Sequence, residues 1–168
     1  ADIECIETSH DALIGDEGIE LPPGTGDISM LGKCLRNSKR LCNHISTATT
    51  PRAMERFKAI KQGSNFHSLD TTLKTTYSDP NRTQNTIYLR LKYDEPSGTV
   101  VNIRKSMWIH PVQDRALSVR EAARLQTFPD SFEFCGPKDS QYQQVGNAVP
   151  PILARAIAEC LCRYLDGN

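Results

Sequence analysis

Residues 144–149 combine residue types that can hold a polar ligand. Gly146 lets a ligand approach the backbone closely, and the Asn147 amide offers both a hydrogen-bond donor and an acceptor. A helix predicted to begin near this point would present free N–H groups and a partial positive charge, which suit a carboxylate. The alternative interpretation is that Asn147 only caps that helix.

Basic residues are concentrated in one block, although the formal net charge of the whole chain is zero. Residues 1–32 contain eight acidic residues and no Lys or Arg, whereas residues 33–61 contain eight basic residues and one acid, Glu55. Such a block is a plausible phosphate-facing surface, because neutralising phosphates supplies most sequence-independent affinity for DNA. A solvated basic face explains the charges equally well.

The composition indicates a globular chain without a metal centre. Its 168 residues are 38% hydrophobic and 24% charged, which is enough to bury a core. The six cysteines form no C-x-x-C pair and have no zinc-type spacing, so we expect reduced structural thiols and no metal site. No apolar run approaches the ~20 residues that span a bilayer, and no signal-peptide pattern is present. We therefore expect an intracellular chain without membrane association. Because it starts at Ala1, we expect a processed protein or a piece of a longer one.

The elements that position the candidate residues are short. Residues 1–32 are turn-rich and predict an extended arm. Thr50 as N-cap, Pro51 after it and Gly63 beyond predict an amphipathic helix with a basic outer face. Residues 86–93 alternate in polarity and, with a second β-rich run after a turn at 94–98, predict a hairpin over 86–104. Its polar face would offer four basic residues to a partner: Arg90, Lys92, Arg104 and Lys105.

Two more helices are predicted near the C-terminus. Ser118 and Glu121 fit a capping box, which begins a helix that should end near Phe128, before Pro129. The last helix should begin between residues 147 and 151 and end before Gly167. Its apolar stripe consists of Leu153, Ile157, Cys160, Leu161, Tyr164 and Leu165.

Residues 115–130 closely resemble motif IX of the DNA (cytosine-5)-methyltransferase family over sixteen consecutive positions. Residues 141–150 resemble motif X, Q-x-G-N-[AS]-V, at the family's usual distance and before the expected terminal helix. The resemblance implies an S-adenosylmethionine pocket, with Asn147 both capping the helix and contacting the cofactor. The implied cofactor-binding residues are Gln144, Gly146, Asn147, Ala148 and Val149.

The resemblance also implies a target recognition domain before motif IX. Thr99 followed by Val100 resembles the Thr-[LIV] element of that domain, so Thr99 joins the candidate DNA contacts. His110 is expected to orient the crossover into motif IX and to have no catalytic role. Four residues of motif IX are expected to form an ionic scaffold that holds the recognition domain: Arg115, Arg120, Glu121 and Arg124.

The family's reaction flips cytosine out of the duplex, attacks C6 with a cysteine thiolate and transfers the methyl group to C5. None of the six cysteines here follows a proline, and F-x-G-x-G, Glu-Asn-Val and Q-x-R-x-R motifs are missing from these 168 residues. We therefore expect no catalytic residue in this chain and no activity from the chain alone.

These observations predict a mixed α/β chain: a connecting arm at 1–32, a small β-rich recognition domain at 33–110, motif IX and a loop at 111–146, and a terminal helix at 147–168. That helix would pack on a Rossmann-like methyltransferase domain supplied in cis or in trans, or would mediate self-association. Double-stranded DNA is the expected partner, and the location would be cytoplasmic in a bacterium or nuclear in a eukaryote. The alternatives are a non-catalytic DNA-binding module and an inert remnant.

Overall fold

The structure, a computed structural model, describes residues 6–8, 18–21, 28–75, 79, 82–101 and 103–167. Four short strands are present in this part of the chain: β1 (Ile6–Thr8), β2 (Ile19–Glu20), β3 (Arg40–Leu41) and β4 (Ile45–Thr47). The α-helices are α1 (Met30–Leu35), α2 (Pro51–Ala59), α3 (Thr71–Lys74), α4 (Ile103–Ser106), α5 (Val119–Leu125), α6 (Lys138–Asn147) and α7 (Pro151–Leu165), and a 3₁₀ helix covers Phe66–Ser68.

The strands form two separate two-stranded ladders. β1 pairs in parallel with β4, with Ile6 opposite Ile45. β2 pairs antiparallel with β3, with Ile19 opposite Leu41. Two short stretches of the predicted arm therefore take part in strand pairing. The rest of that arm, residues 1–5, 9–17 and 22–27, lies outside the described residues.

The helices predicted from local signals are present. The Thr50 hydroxyl accepts the Ala53 N–H at 3.3 Å at the start of α2, and Phe57 faces the core with no exposed surface. Ser118 and Glu121 form the predicted capping box of α5, although this helix ends at Leu125. Gly63, at φ +76°, lies in the turn after α2, where a side chain would be strained.

The predicted hairpin over 86–104 is wrong. Residues 89–91 bond to Ile109, through Ile109 N–H to Leu89 O at 2.9 Å and Leu91 N–H to Ile109 O at 3.2 Å. The second predicted strand is replaced at its end by α4. Tyr88 has φ +52°, so the backbone leaves the extended conformation inside the first predicted strand.

Two neighbouring hydrophobic clusters fill the interior of the described part. One surrounds Trp108 and includes Leu117, Val119 and Tyr142. Because Val119 lies on α5 and Tyr142 on α6, this cluster joins the two helices. The other contains Phe57, Phe66, Tyr88 and Ile109, where Phe57 and Tyr88 meet edge to face with centroids 5.4 Å apart. Trp108 and Ile109 are consecutive and enter different clusters, so the segment before motif IX ties the two together.

α7 lies outside both clusters, and none of its residues is buried. The 28 residues Lys138–Leu165 are long and apolar enough to cross a membrane, by length and composition only. One such segment is weak evidence, and here α6 ends at Asn147 before α7 starts at Pro151.

Candidate functional site

The start of α5 is built around the Glu121 carboxylate. Arg115 donates to both of its oxygens, at 2.7 and 2.8 Å, and the Ser118 N–H donates at 2.8 Å. Burial alone would raise the pKa of Glu121, but the Arg115 guanidinium, the Ser118 N–H and the charge of His44 outweigh it and lower the pKa to about 2. Glu121 is therefore a structural anion and not a proton donor at neutral pH.

Arg120 is fully buried and connects three segments of the chain. Its guanidinium donates to Cys42 O at 2.8 Å, to Phe132 O at 2.6 Å and to Pro129 O at 3.1 Å. A fourth donation reaches the side chain of Asn43 at 3.1 Å. Arg120 was predicted to belong to an ionic scaffold, and the four oxygens named here are carbonyl and amide oxygens.

Asn43 is a structural residue that the sequence patterns did not reveal. It is buried at φ +62°, and its amide donates to Phe134 O at 2.9 Å and to Gln141 Oε1 at 3.0 Å. Asn tolerates this left-handed backbone better than most residues do. Since Gln141 lies on α6, Asn43 and Arg120 together link the loop before β4 to both α5 and α6.

Arg124 completes the scaffold. Its guanidinium forms a bidentate pair with Asp130 at 2.7 and 2.9 Å, and the Asp130 carboxylate is buried. His110 lies in the turn before α5, where its Nδ1 accepts the N–H groups of Val112 and Gln113 at 3.2 and 3.0 Å. This arrangement agrees with an orienting role for His110.

Arg90 is not on an exposed face, and its predicted placement as a DNA contact is wrong. Only 5% of the residue is exposed. Its guanidinium donates to the carbonyl oxygens of Phe57 at 2.6 Å and Ile60 at 2.7 Å, and it pairs with Asp114 at 2.6 Å. It donates further to the carbonyls of residues 110 and 113. Arg90 therefore ties the end of α2 to the turn before motif IX.

The other candidate DNA contacts are accessible. Thr99 and Lys105 are exposed, and Lys92 is exposed beside Glu95, with 2.6 Å between Nζ and Oε1. Arg104 is half-buried on α4 and forms an ion pair of 2.6 Å with Asp139 on α6. In the basic block, Arg56 is buried against Tyr88, whereas Arg52 and Lys58 on α2 and Lys61 just after it are exposed.

The segment that resembles motif X joins α6 to α7. Gln144, Gly146 and Asn147 lie in the last turn of α6, and Ala148 and Val149 follow it. The prediction that Asn147 caps the last helix is wrong, since the N-cap residue of α7 is Pro150. The Gln144 amide donates to Cys135 O at 2.9 Å, while the Asn147 side chain is exposed and has no hydrogen-bond partner among the described residues.

Comparison with known proteins decides the family. The family described as C-5 cytosine-specific DNA methylase matches residues 23–163, which is most of the chain. The chain belongs to the DNA (cytosine-5)-methyltransferase family. The relatives of this chain include type II methyltransferases.

The chain matches a different share of the length of each of two relatives. Type II methyltransferase M.AquIB of Picosynechococcus sp. is 39% identical over 134 residues, which cover 73% of this chain and 88% of that protein. Type II methyltransferase M1.HphI of Haemophilus parahaemolyticus is 38% identical over 123 residues, which also cover 73% of this chain but only 32% of that protein. The chain thus spans about a third of one relative and most of the other.

A solved structure supports the fold. The structure described as a putative DNA modification methyltransferase encoded within a prophage of E. coli superposes with a TM-score of 0.71 at 21% identity. The match covers 98% of this chain and 44% of that chain. The mixed α/β arrangement with few strands is therefore found within a DNA methyltransferase structure.

Proposed function

We propose that this chain is the C-terminal part of a DNA (cytosine-5)-methyltransferase, which recognises the DNA target and completes the S-adenosylmethionine pocket. The observation that carries the proposal is the exposure of motif X and α7. Val149 is 60% exposed, and α7 has no buried residue although its stripe is apolar. Exposed apolar surface of this extent is typical of a surface that another protein segment covers.

The residues of motif X suit one edge of a cofactor site. Asn147 offers an unused donor and acceptor, and Gly146 beside it has no side chain to block an approaching ligand. S-adenosylmethionine, the family's usual cofactor, would supply the methyl group. We propose that Gly146, Asn147, Ala148 and Val149 hold part of this molecule, with Gln144 fixing the helix end to the loop at Cys135.

The catalytic portion would come from elsewhere, in cis or in trans. No cysteine of these 168 residues follows a proline, so none matches the family's nucleophile. The match covers 32% of M1.HphI, so most of that protein lies outside it, whereas the match covers 88% of M.AquIB. A methyltransferase chain of about this extent therefore exists among the relatives, which supports assembly from two polypeptides as one form of the proposal.

DNA would be contacted by the exposed residues between α3 and α5. We propose Thr99, Lys92 and Lys105 as contacts, with Arg104 contributing once DNA competes with Asp139 for its guanidinium. Lys and Arg neutralise phosphates and so supply affinity, whereas base edges supply specificity. Arg90 is withdrawn from this set because its donors are used inside the protein.

The proposed division of the chain follows these roles. Residues 1–32 connect the parts, residues 33–110 recognise DNA, residues 111–146 carry motif IX and lead into motif X, and residues 147–168 dock on a Rossmann-like catalytic domain. An intracellular location belongs to this proposal, since cellular DNA is the substrate.

Reconstitution tests the proposal. The chain alone, incubated with labelled S-adenosylmethionine and DNA, should transfer no methyl group, and addition of a catalytic portion with the family's Pro-Cys and Glu-Asn-Val motifs should give transfer to cytosine. Asn147→Ala should weaken cofactor binding by the assembled enzyme, whereas Gln143→Ala, an exposed change on the same helix, should not. Label transferred by the isolated chain, or equal cofactor affinity in both variants, would contradict the proposal.

A further inference from the structure

The junction between α6 and α7 leaves backbone groups that the two helices cannot satisfy themselves. The last carbonyls of α6 lack i+4 partners, as at every helix end. At the start of α7, Pro150 and Pro151 have no N–H, and Pro150 offers no side-chain cap. The first N–H of α7 therefore belongs to Ile152. This junction contains the residues proposed to hold S-adenosylmethionine.

Gln126, the residue that follows α5, satisfies the α6 side of the junction. It is buried, with 7% of its surface exposed. Its side-chain amide donates to Val145 O at 3.2 Å and to Ala148 O at 3.4 Å. One amide group thus binds carbonyls on both sides of Gly146 and Asn147, and so fixes the path of the backbone between them.

Thr127 satisfies the α7 side. Its hydroxyl accepts the N–H of Ile152 at 3.2 Å, the role that the N-cap residue Pro150 cannot perform. Thr127 has φ +62°, which is uncommon for a β-branched residue, so its backbone is held by the surrounding structure. That conformation places the hydroxyl at the junction, directly after Gln126 in the chain.

The segment that carries these two side chains is itself well anchored. Phe128 N–H donates to Ala123 O at 2.9 Å, and Arg124 is paired with buried Asp130. Arg120 on the same helix is fully buried and bonded to three carbonyls. A rigid support is what a positioning residue requires, since a loose one would follow the backbone it is meant to hold.

We infer that Gln126 and Thr127 are positioning residues for S-adenosylmethionine: together they hold residues 146–149 in the conformation that binds the cofactor, without touching it. The inference rests on the proposed function of motif X. The inference gives the end of motif IX a role in cofactor binding. The arginines earlier in the motif, Arg120 and Arg124, instead hold neighbouring segments together.

The test compares matched variants in the assembled enzyme. Thr127→Val keeps the β-branched shape and removes the hydroxyl, and Gln126→Met keeps the length and removes the amide. Each should raise the Kd of S-adenosylmethionine at least about fivefold, because Thr127→Val removes one hydrogen bond of ordinary strength and Gln126→Met removes two. Thr127→Ser should restore the Kd to within about twofold of wild type, and Gln143→Met is the control for an exposed glutamine on α6.

A second measurement separates positioning from general destabilisation. In Thr127→Val, hydrogen exchange should accelerate at the Ile152 amide while the amides of α5 stay as protected as in wild type, and the Kd for DNA should stay unchanged. Equal cofactor affinity in wild type, Gln126→Met and Thr127→Val would overturn the inference, as would parallel losses of DNA and cofactor binding. Failure of the wild-type assembled enzyme to bind S-adenosylmethionine would instead overturn the proposed function.

Discussion

At the scale of single residues, buried arginines organise this chain. Arg90 and Arg120 each have 5% or less of their surface exposed and each donate to at least three backbone carbonyls. Guanidinium suits this use, because it has five N–H donors in a rigid plane. Loss of either side chain would leave several buried carbonyls without a donor, which costs more than the hydrogen bonds themselves contribute.

The lowered pKa of Glu121 predicts how the stability of the chain depends on pH. Its pKa is about 2 in the folded chain against an ordinary value of 4.5. Because the folded pKa is the lower one, its contribution to stability is present above about pH 4.5 and is lost as pH falls towards 2. The difference corresponds to about 3 kcal/mol of unfolding free energy.

Urea unfolding between pH 6 and pH 3.5 measures the first part of this loss, which amounts to about 1 kcal/mol over the one pH unit below 4.5. Wild type should lose stability more steeply than Glu121→Gln as pH falls, because the variant has no carboxylate to protonate. At pH 6 the variant should already be the less stable protein, since Arg115 loses its charged partner. Parallel pH profiles for the two proteins would show that the Arg115–Glu121 pair is not coupled to folding.

At the scale of elements, what the sequence could predict depended on whether the signal was local. Thr50 and Ser118 bond to N–H groups three residues away, so α2 and α5 are recognisable in the sequence itself. The region 86–104 failed because Tyr88 adopts φ +52° and residues 89–91 pair with Ile109. The alternation of apolar residues in the sequence is the same whether or not one residue has a positive φ and wherever the pairing partner lies. The alternation therefore could not reveal either feature.

The residues of the candidate site also fall into those that the sequence could reveal and those that it could not. The residues of motif X were found by resemblance, but their placement at the end of α6 was not, because the sequence predicted a loop where α6 (Lys138–Asn147) lies. Asn43 and Thr127 were missed, since their importance lies in positive φ values and in bonds to residues far along the chain. Such bonds exist only once the chain has folded.

Lys92 and Lys105, two exposed cations in the segment between α3 and α5, lead to a prediction at the scale of elements. Lys92→Ala and Lys105→Ala should each weaken DNA binding by the assembled enzyme and reduce the dependence of log Kd on log salt by about one unit per phosphate contact. Arg90→Met, which removes the charge, should instead lower the unfolding free energy by at least about 2 kcal/mol and leave the salt dependence unchanged, because the Arg90 guanidinium is buried. A reduced salt dependence in Arg90→Met would show that Arg90 does contact DNA phosphates.

At the scale of the whole molecule, α7 is the helix that other described parts of the chain leave uncovered. Ile157 is 50% and Leu161 56% exposed on the apolar stripe. At ~25 cal/mol per Å², several such side chains left in water forgo a few kcal/mol of burial. The isolated chain should therefore dimerise through α7 or show fast hydrogen exchange along it. The catalytic portion should remove either behaviour by covering the stripe.

A pair of matched substitutions tests this prediction, because Arg155 and Ile157 are two residues apart and face nearly opposite sides of α7. Ile157→Asp should abolish both self-association, measured by sedimentation, and assembly with the catalytic portion, measured by co-purification. Arg155→Asp should leave both intact, since Arg155 is exposed beside Glu159 on the polar side. Addition of the catalytic portion to wild type should slow exchange throughout 151–165 and create S-adenosylmethionine binding. If instead α7 is fully protected in a monomer of the isolated chain, and no cofactor binding is gained with the partner, then the chain is a self-contained DNA-binding module.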